Sequence, residues 1–411
     1  MVEMEDSYNN HDDSDYSYED SMDDTLMGDT PLGWAARKGH KVVVEMLLGR
    51  ADIDPDKPGE DGQTPLGRAA KYGYEGAVKI LLGRDDINPN QPDENGRTPL
   101  WWAAENGQEG TVKALLNRDD IDPDKPERSG QTPLSCAAAA GHPGVMKVLL
   151  GRDDVCPSQP DNDGRTPFWW AAYTGNEGTV KVLLGRDDVN PDQPDDNGRT
   201  PFWWAAYSGN EGTVKVLLGW DDINPSQPDG DGQTPLCCAA KGGHSGVVKI
   251  LLGRDNVDPS GPDRHGRTPL WWAARNGRNG VVKILLGRDD VNPDRPDEYG
   301  QTPLLVAIAG GHEGVVKLLL GRDDLNPNKP DKGGRTPLWW AARNGCEGLV
   351  KILLGHDKVN PNKQDREGRT PLEIATLRHC RGAMALLLPR TTAGYSSLNP
   401  RRLRPRPQRP H

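Results

Sequence analysis

The 411-residue chain has a formal charge of −11 and 34% hydrophobic residues, with two Phe against 49 Gly and 36 Pro. This balance excludes one large buried core and fits many short elements punctuated by turns. The acidic total argues against nucleic acid as the main ligand, and no apolar run approaches the ~18 residues needed to cross a bilayer.

Residues 1–29 hold eleven acidic side chains and no Lys or Arg, so an acidic, disordered, solvating tail is expected there. Its start is neither basic nor apolar, as a secretory signal would require. From Thr30 the chain changes character. A Thr-Pro pair opens residues 30, 64, 98, 132, 166, 200, 234, 268, 302, 336 and 370, always 34 residues apart, giving eleven copies of one unit between residues 30 and 388. A period of this length signals stacked units that each bury an apolar face on their neighbours.

Within a copy, Thr166 is predicted to cap a helix that Pro167 starts, because Pro at the first helical position loses no needed N–H. Phe168, Ala171 and Ala172 recur at helical spacing, and Gly175, a glycine in ten of the eleven copies, suits a left-handed cap. A second helix is predicted over EGTVKVLL, with Val180, Leu183 and Leu184 on one stripe. The following DDVNPDQPDDNGR reads as an extended, turning loop.

Carboxylates in that loop, Asp188, Asn190 and Asp192, are spaced like a calcium loop, but Gln193 and Arg199 stand where Gly and Glu are needed. Turn and cap chemistry is the expected use, as it is for the equivalent Asp56 and Asp124. His40, His142, His244 and His312 fall in different copies and read as structural. Cys136, Cys156, Cys237, Cys238, Cys346 and Cys380 lack metal-ligand spacing and read as reduced packing residues. Trp pairs at 101–102, 169–170, 203–204, 271–272 and 339–340 alternate mostly with the smaller pairs Ser135-Cys136, Cys237-Cys238 and Leu305-Val306, as layer packing requires. The alternation fails between copies five and six, where the two Trp pairs are expected to stack tightly or to push one pair toward solvent. Neither a nucleophile motif nor a cofactor fingerprint occurs, so no catalytic, cofactor or metal site is expected. The basic, Arg/Pro-rich residues 389–411 are expected to form a second disordered tail.

The unit D-x-x-G-x-T-P-L-x-x-A-A-x-x-G-H, closed by L-L-x-x-x-D-V-N, resembles the ankyrin repeat over residues 30–388. That resemblance implies an all-α solenoid of helix-turn-helix-loop units, non-enzymatic and intracellular, cytoplasmic or nuclear, that binds another protein on its concave face. The chain is expected to be monomeric, with no nucleic-acid or membrane partner for the array. Tyr72, Tyr173, Tyr207, Arg275 and Arg343, at the variable eighth and ninth places, are the expected partner-binding residues. The family His after Thr-Pro-Leu is missing from every copy, so its hydrogen bonds must be replaced or absent. The GRDDVNP and TPLxWAA phrasing also resembles ankyrin arrays of fungal proteins carrying a NACHT-type nucleotide-binding domain, of which this could be the detached recognition half. No G-x-x-x-x-G-K-[ST] loop occurs in this chain.

Overall fold

The computed structural model describes residues 29–391. Among them are 22 α-helices and no strand, two helices to each 34-residue copy. The two tails anticipated from the sequence lie outside the described residues except at their inner edges. Asp29 is salt-bridged to Arg68 and lies 3.9 Å from Arg37, while the last helix, Arg381–Thr391, runs three residues past Leu388.

Each copy opens on its threonine. Thr166 is extended, its hydroxyl accepts the Trp169 N–H at 3.2 Å, and Pro167 begins the helix Pro167–Thr174. All eleven capping threonines accept in this way, which satisfies one of the free N–H groups of each helix start. The tenth place then turns left-handed. Gly175 has φ 81°, and His379, the one copy without glycine there, is held at φ 57°, a conformation that costs a side chain about 1–2 kcal/mol.

The core is built from the third, sixth and seventh places of the first helix and one stripe of the second. Phe168, Ala171 and Ala172 are buried, and so are Val180, Leu183 and Leu184 in the helix Glu177–Leu184. First helices pack on first helices and second on second, and the first row packs more closely at every step. The stack therefore curves with its first helices inside. Small alanines permit that close approach.

Between copies the loops are tied together twice. At the turn tips a backbone bond joins most neighbouring turns, as in Gly230 N–H to Asn197 O at 2.9 Å. On the outer side an arginine reaches back one copy: Arg186 donates to Leu150 O at 3.1 Å while its fork holds both oxygens of Asp188. The same arrangement recurs at Arg84, Arg118, Arg152, Arg288 and Arg322. It caps a carbonyl left free at the end of the second helix. Asp188, Asn190 and Asp192 thus do turn and cap work: Asn190 accepts the Asp192 N–H at 3.1 Å, and Asp192 accepts the Asn224 N–H at 3.2 Å.

Candidate partner-binding face

The inner face is floored by tryptophan. In the five copies with a Trp pair, the indole N–H of the second Trp donates to an aspartate nine residues upstream, as Trp170 does to Asp161 at 3.1 Å and Trp204 to Asp195 at 2.8 Å. The other oxygen of that carboxylate takes two backbone N–H groups of its own turn, those of Asn197 and Arg199 in the case of Asp195. Carboxylate, turn and indole are therefore locked as one unit. Where the first Trp can reach forward it donates to the turn that leads into the next copy: Trp169 to Asp195, Trp203 to Gln233 O and Trp271 to Gln301 O. The first Trp stands at the place of the missing histidine. Trp101 and Trp339 leave their indole N–H without a partner in the structure.

A third component completes each unit. The residue before the capping threonine is Arg in every copy with a Trp pair, and its guanidinium lies over both rings: Arg165 is 4.7 Å from the Trp170 centroid, and Arg267 is 4.5 Å from that of Trp272. Stacking of this kind contributes about 0.5–2 kcal/mol. Copies with the smaller pairs Ser135-Cys136, Cys237-Cys238 and Leu305-Val306 carry Gln131, Gln233 and Gln301 instead. This pairing of Arg with Trp-Trp and Gln with small residues is visible in the sequence, and is the signal that the position-by-position reading missed. Arg369 is the exception: its own copy has Glu373-Ile374, and its guanidinium lies 5.7 Å from the Trp339 ring of the preceding copy. Glu373 instead closes a capping box with Thr370.

At the twin copies five and six the floor becomes continuous. Trp169 and Trp204 meet edge to face at 4.9 Å, so the pairs stack tightly. Tyr173 stacks on Trp169 at 5.1 Å and meets Trp204 at 5.3 Å. Tyr207 stacks on Trp203 at 5.4 Å and is 43% exposed. Six aromatic rings thus run from core to surface without a break.

Charge is segregated across the molecule. Among the eighth and ninth places of the eleven copies Glu105 is the only acid, against seven Lys and Arg, whereas the outer loops carry Asp-Asp in most copies. Burial raises the Glu105 carboxyl above the ordinary value, with Arg97 and Lys71 opposing that shift.

With this geometry in place, the comparison with protein families decides what the solenoid is. The family model for ankyrin repeats (3 copies) matches residues 15–93, 85–159, 151–229, 217–297, 266–331, 281–365 and 323–397. The chain belongs to the ankyrin-repeat family. No curated protein matches it.

The ankyrin array places the five expected contact residues on one face, but not in one cluster. Tyr173 and Tyr207 come together, each 5.3 Å from Trp204. Tyr72, 37% exposed beside Tyr74, stands three copies away from Tyr173. Arg275 is exposed in copy eight, and Arg343 is half-buried in copy ten with its guanidinium 5.0 Å from the Trp340 ring. His142 and His312 serve the framework: a ring nitrogen of each bonds the carbonyl that ends the preceding first helix, Glu105 O at 2.9 Å and Arg275 O at 3.0 Å. Among the cysteines, burial pushes Cys237 up to about 12 and Cys136 and Cys238 well above the ordinary thiol value, so these three are protonated packing groups. Cys156 departs from that expectation: it is exposed, and its backbone N–H donates to Asp124. No helix among the described residues is long and apolar enough to cross a membrane.

Proposed function

We propose that this ankyrin array is a non-enzymatic recognition module that holds another protein against its inner face, centred on the Trp169–Tyr207 cluster. Ankyrin repeats are general protein-protein interaction modules. The observation that carries the location is the continuous aromatic run that surfaces at Tyr207. A rigid ring already ordered by its neighbours loses little entropy on binding, and Tyr and Arg are the types that most often anchor interfaces. Tyr72, Arg275 and Arg343 extend the contact along the curve, in a compartment inside the cell. A second reading, that the array is the recognition half of a NACHT-type receptor, is supported by the GRDDVNP phrasing alone; a phosphate-loop domain encoded directly upstream would establish it.

The test is affinity capture followed by calorimetry on the captured protein. Tyr207→Ala should weaken binding by about 2 kcal/mol, roughly thirtyfold, with the melting temperature nearly unchanged because the ring covers the core rather than filling it. Unchanged affinity in Tyr207→Ala and in the Tyr173→Ala/Tyr207→Ala double variant would move the contact elsewhere.

A further inference from the structure

The arginines over the Trp pairs are neutralised unevenly: Arg97 and Arg335 have no salt-bridge partner among the described residues, and beside Arg335 stand two further arginines, Arg343 and Arg378. In copies five and eight the arginine over the Trp pair is held by its own turn carboxylate, Arg165 by Asp161 and Arg267 by Asp263, each at 2.9 Å. Arg165 also pairs with Asp163 at 2.6 Å, and in copy eleven Arg369 pairs with Asp365 at 2.8 Å and Glu367 at 2.7 Å. Copy ten lacks the second acid, because Gly333 stands where Asp163 and Glu367 stand. Arg335 has no salt-bridge partner among the described residues, and neither have Arg343 and Arg378.

These groups are nonetheless crowded. The Arg335 guanidinium lies 5.4 Å and 5.3 Å from the Trp339 and Trp340 rings, and that of Arg343 lies 5.0 Å from Trp340. Both therefore stand on one indole. Arg378 follows at the ninth place of the last copy and is exposed. Burial lowers the affinity of Arg343 for its proton, and Arg378, Arg335 and Arg369 push the same way. The Asp331 carboxylate of this turn is engaged by the Arg335 backbone N–H and the Trp340 indole, so among the described residues no acid forks with these three guanidinium groups, which leaves them open to a carboxylate from outside.

We propose that Arg335 and Arg343, standing on the Trp339–Trp340 pair, together with the neighbouring Arg378, seat a carboxylate-rich extended segment of the partner protein. Guanidinium forks match carboxylates bidentately, and the ring beneath Arg335 and Arg343 fixes the plane of those two forks. The seat spans two layers, roughly 20 Å at ~10 Å per layer, which suits about six extended residues at ~3.3 Å each. A short acidic peptide fits better than nucleic acid, since the outer loops of the adjoining copies nine and ten present Asp323, Asp324 and Asp357 and would repel a long polyanion. The proposal rests on the inner face being the partner-binding face, and adds the chemistry recognised at one end of it.

The test is calorimetry of the full chain at low salt with a capped octapeptide of glutamates and serines, and with its glutamine counterpart. The glutamate peptide should bind, and the glutamine peptide should not. Arg343→Gln/Arg378→Gln should weaken the glutamate peptide at least tenfold, with Arg378→Gln alone, at an exposed position, as the variant least able to disturb folding. Absence of binding to the unaltered chain, or equal affinity in both variants, overturns the seat. So does a single-stranded oligonucleotide of equal charge that binds as tightly. Loss of the peptide in Tyr207→Ala rather than at the arginines would also overturn it, while leaving the inner face as the binding face.

Discussion

At the scale of single residues the sixth loop position after Gly-Arg decides whether a side chain can donate to the neighbouring copy. Asn90 and Asn328 donate their side-chain N–H to the next copy, to Asp120 O and Lys358 O at 2.6 Å, and accept a backbone N–H in return. Ser226 donates to Asn256 O at 2.9 Å. Asp56, Asp124, Asp192 and Asp294 occupy the same position without a proton to give, and each leaves one buried carboxylate oxygen without a partner. Burial is the first cause raising all four carboxyls above the ordinary value, against the backbone N–H each accepts. A folded-state value above the unfolded one means that the folded form holds the proton longer. Stability from these groups is therefore full below the ordinary carboxylate range and is lost as pH rises through the raised value. Asp192→Asn should stabilise the array by about 0.5–1.5 kcal/mol at neutral pH, the net worth of a hydrogen bond. Urea melts from pH 3 to 7 should show that gain shrinking toward the acid end. A gain independent of pH would mean that the carboxylate charge is not what the asparagine removes.

At the scale of elements the helices are too short to stand alone and borrow their ends from neighbours. The outer arginine ladder shows this most plainly through its gap: copy six has Trp220 where copy five has Arg186, and Trp220 is 43% exposed. By the 34-residue period an arginine there would reach Leu184 O and the Asp222 carboxylate. Trp220→Arg should stabilise the array by about 1 kcal/mol, read as slower hydrogen exchange in residues 177–184 and 211–217. Faster exchange there would show that the indole itself packs on the ladder. Helix starts, glycine stops and the Leu183 stripe were legible in the sequence because each follows from local chemistry repeated eleven times. The Trp–Asp–Arg unit was not, since it joins residues nine and five positions apart whose link emerges only when copies are compared with one another. Its elements were each visible. The Asp161 carboxylate reads as a turn residue until the Trp170 indole is seen to donate to it.

For the whole molecule, a curve with first helices inside and an acidic outer side gives a repeated packing unit two chemically unlike faces. The stacked architecture followed from the period, as such quasi-linear proteins allow, and its all-α ankyrin form from the resemblance of the unit. The variable places pointed to Tyr173 and Tyr207, which the structure unites, and also to Tyr72, Arg275 and Arg343, which it spreads along the curve. Variation by itself carries no distance information, and the fixed aromatic floor beneath supplies what ranks one place above another. The claim that a partner protein lies on that floor is tested most directly by side-chain oxidation footprinting with and without the captured partner. Tyr207 and Tyr173 should be protected in the complex, while Met46 on the second helix Lys41–Leu48, 71% exposed, and Trp220 in the outer loop keep their reactivity. Protection of Met46 and Trp220 with Tyr173 and Tyr207 unchanged would place the partner on the outer side and contradict the account.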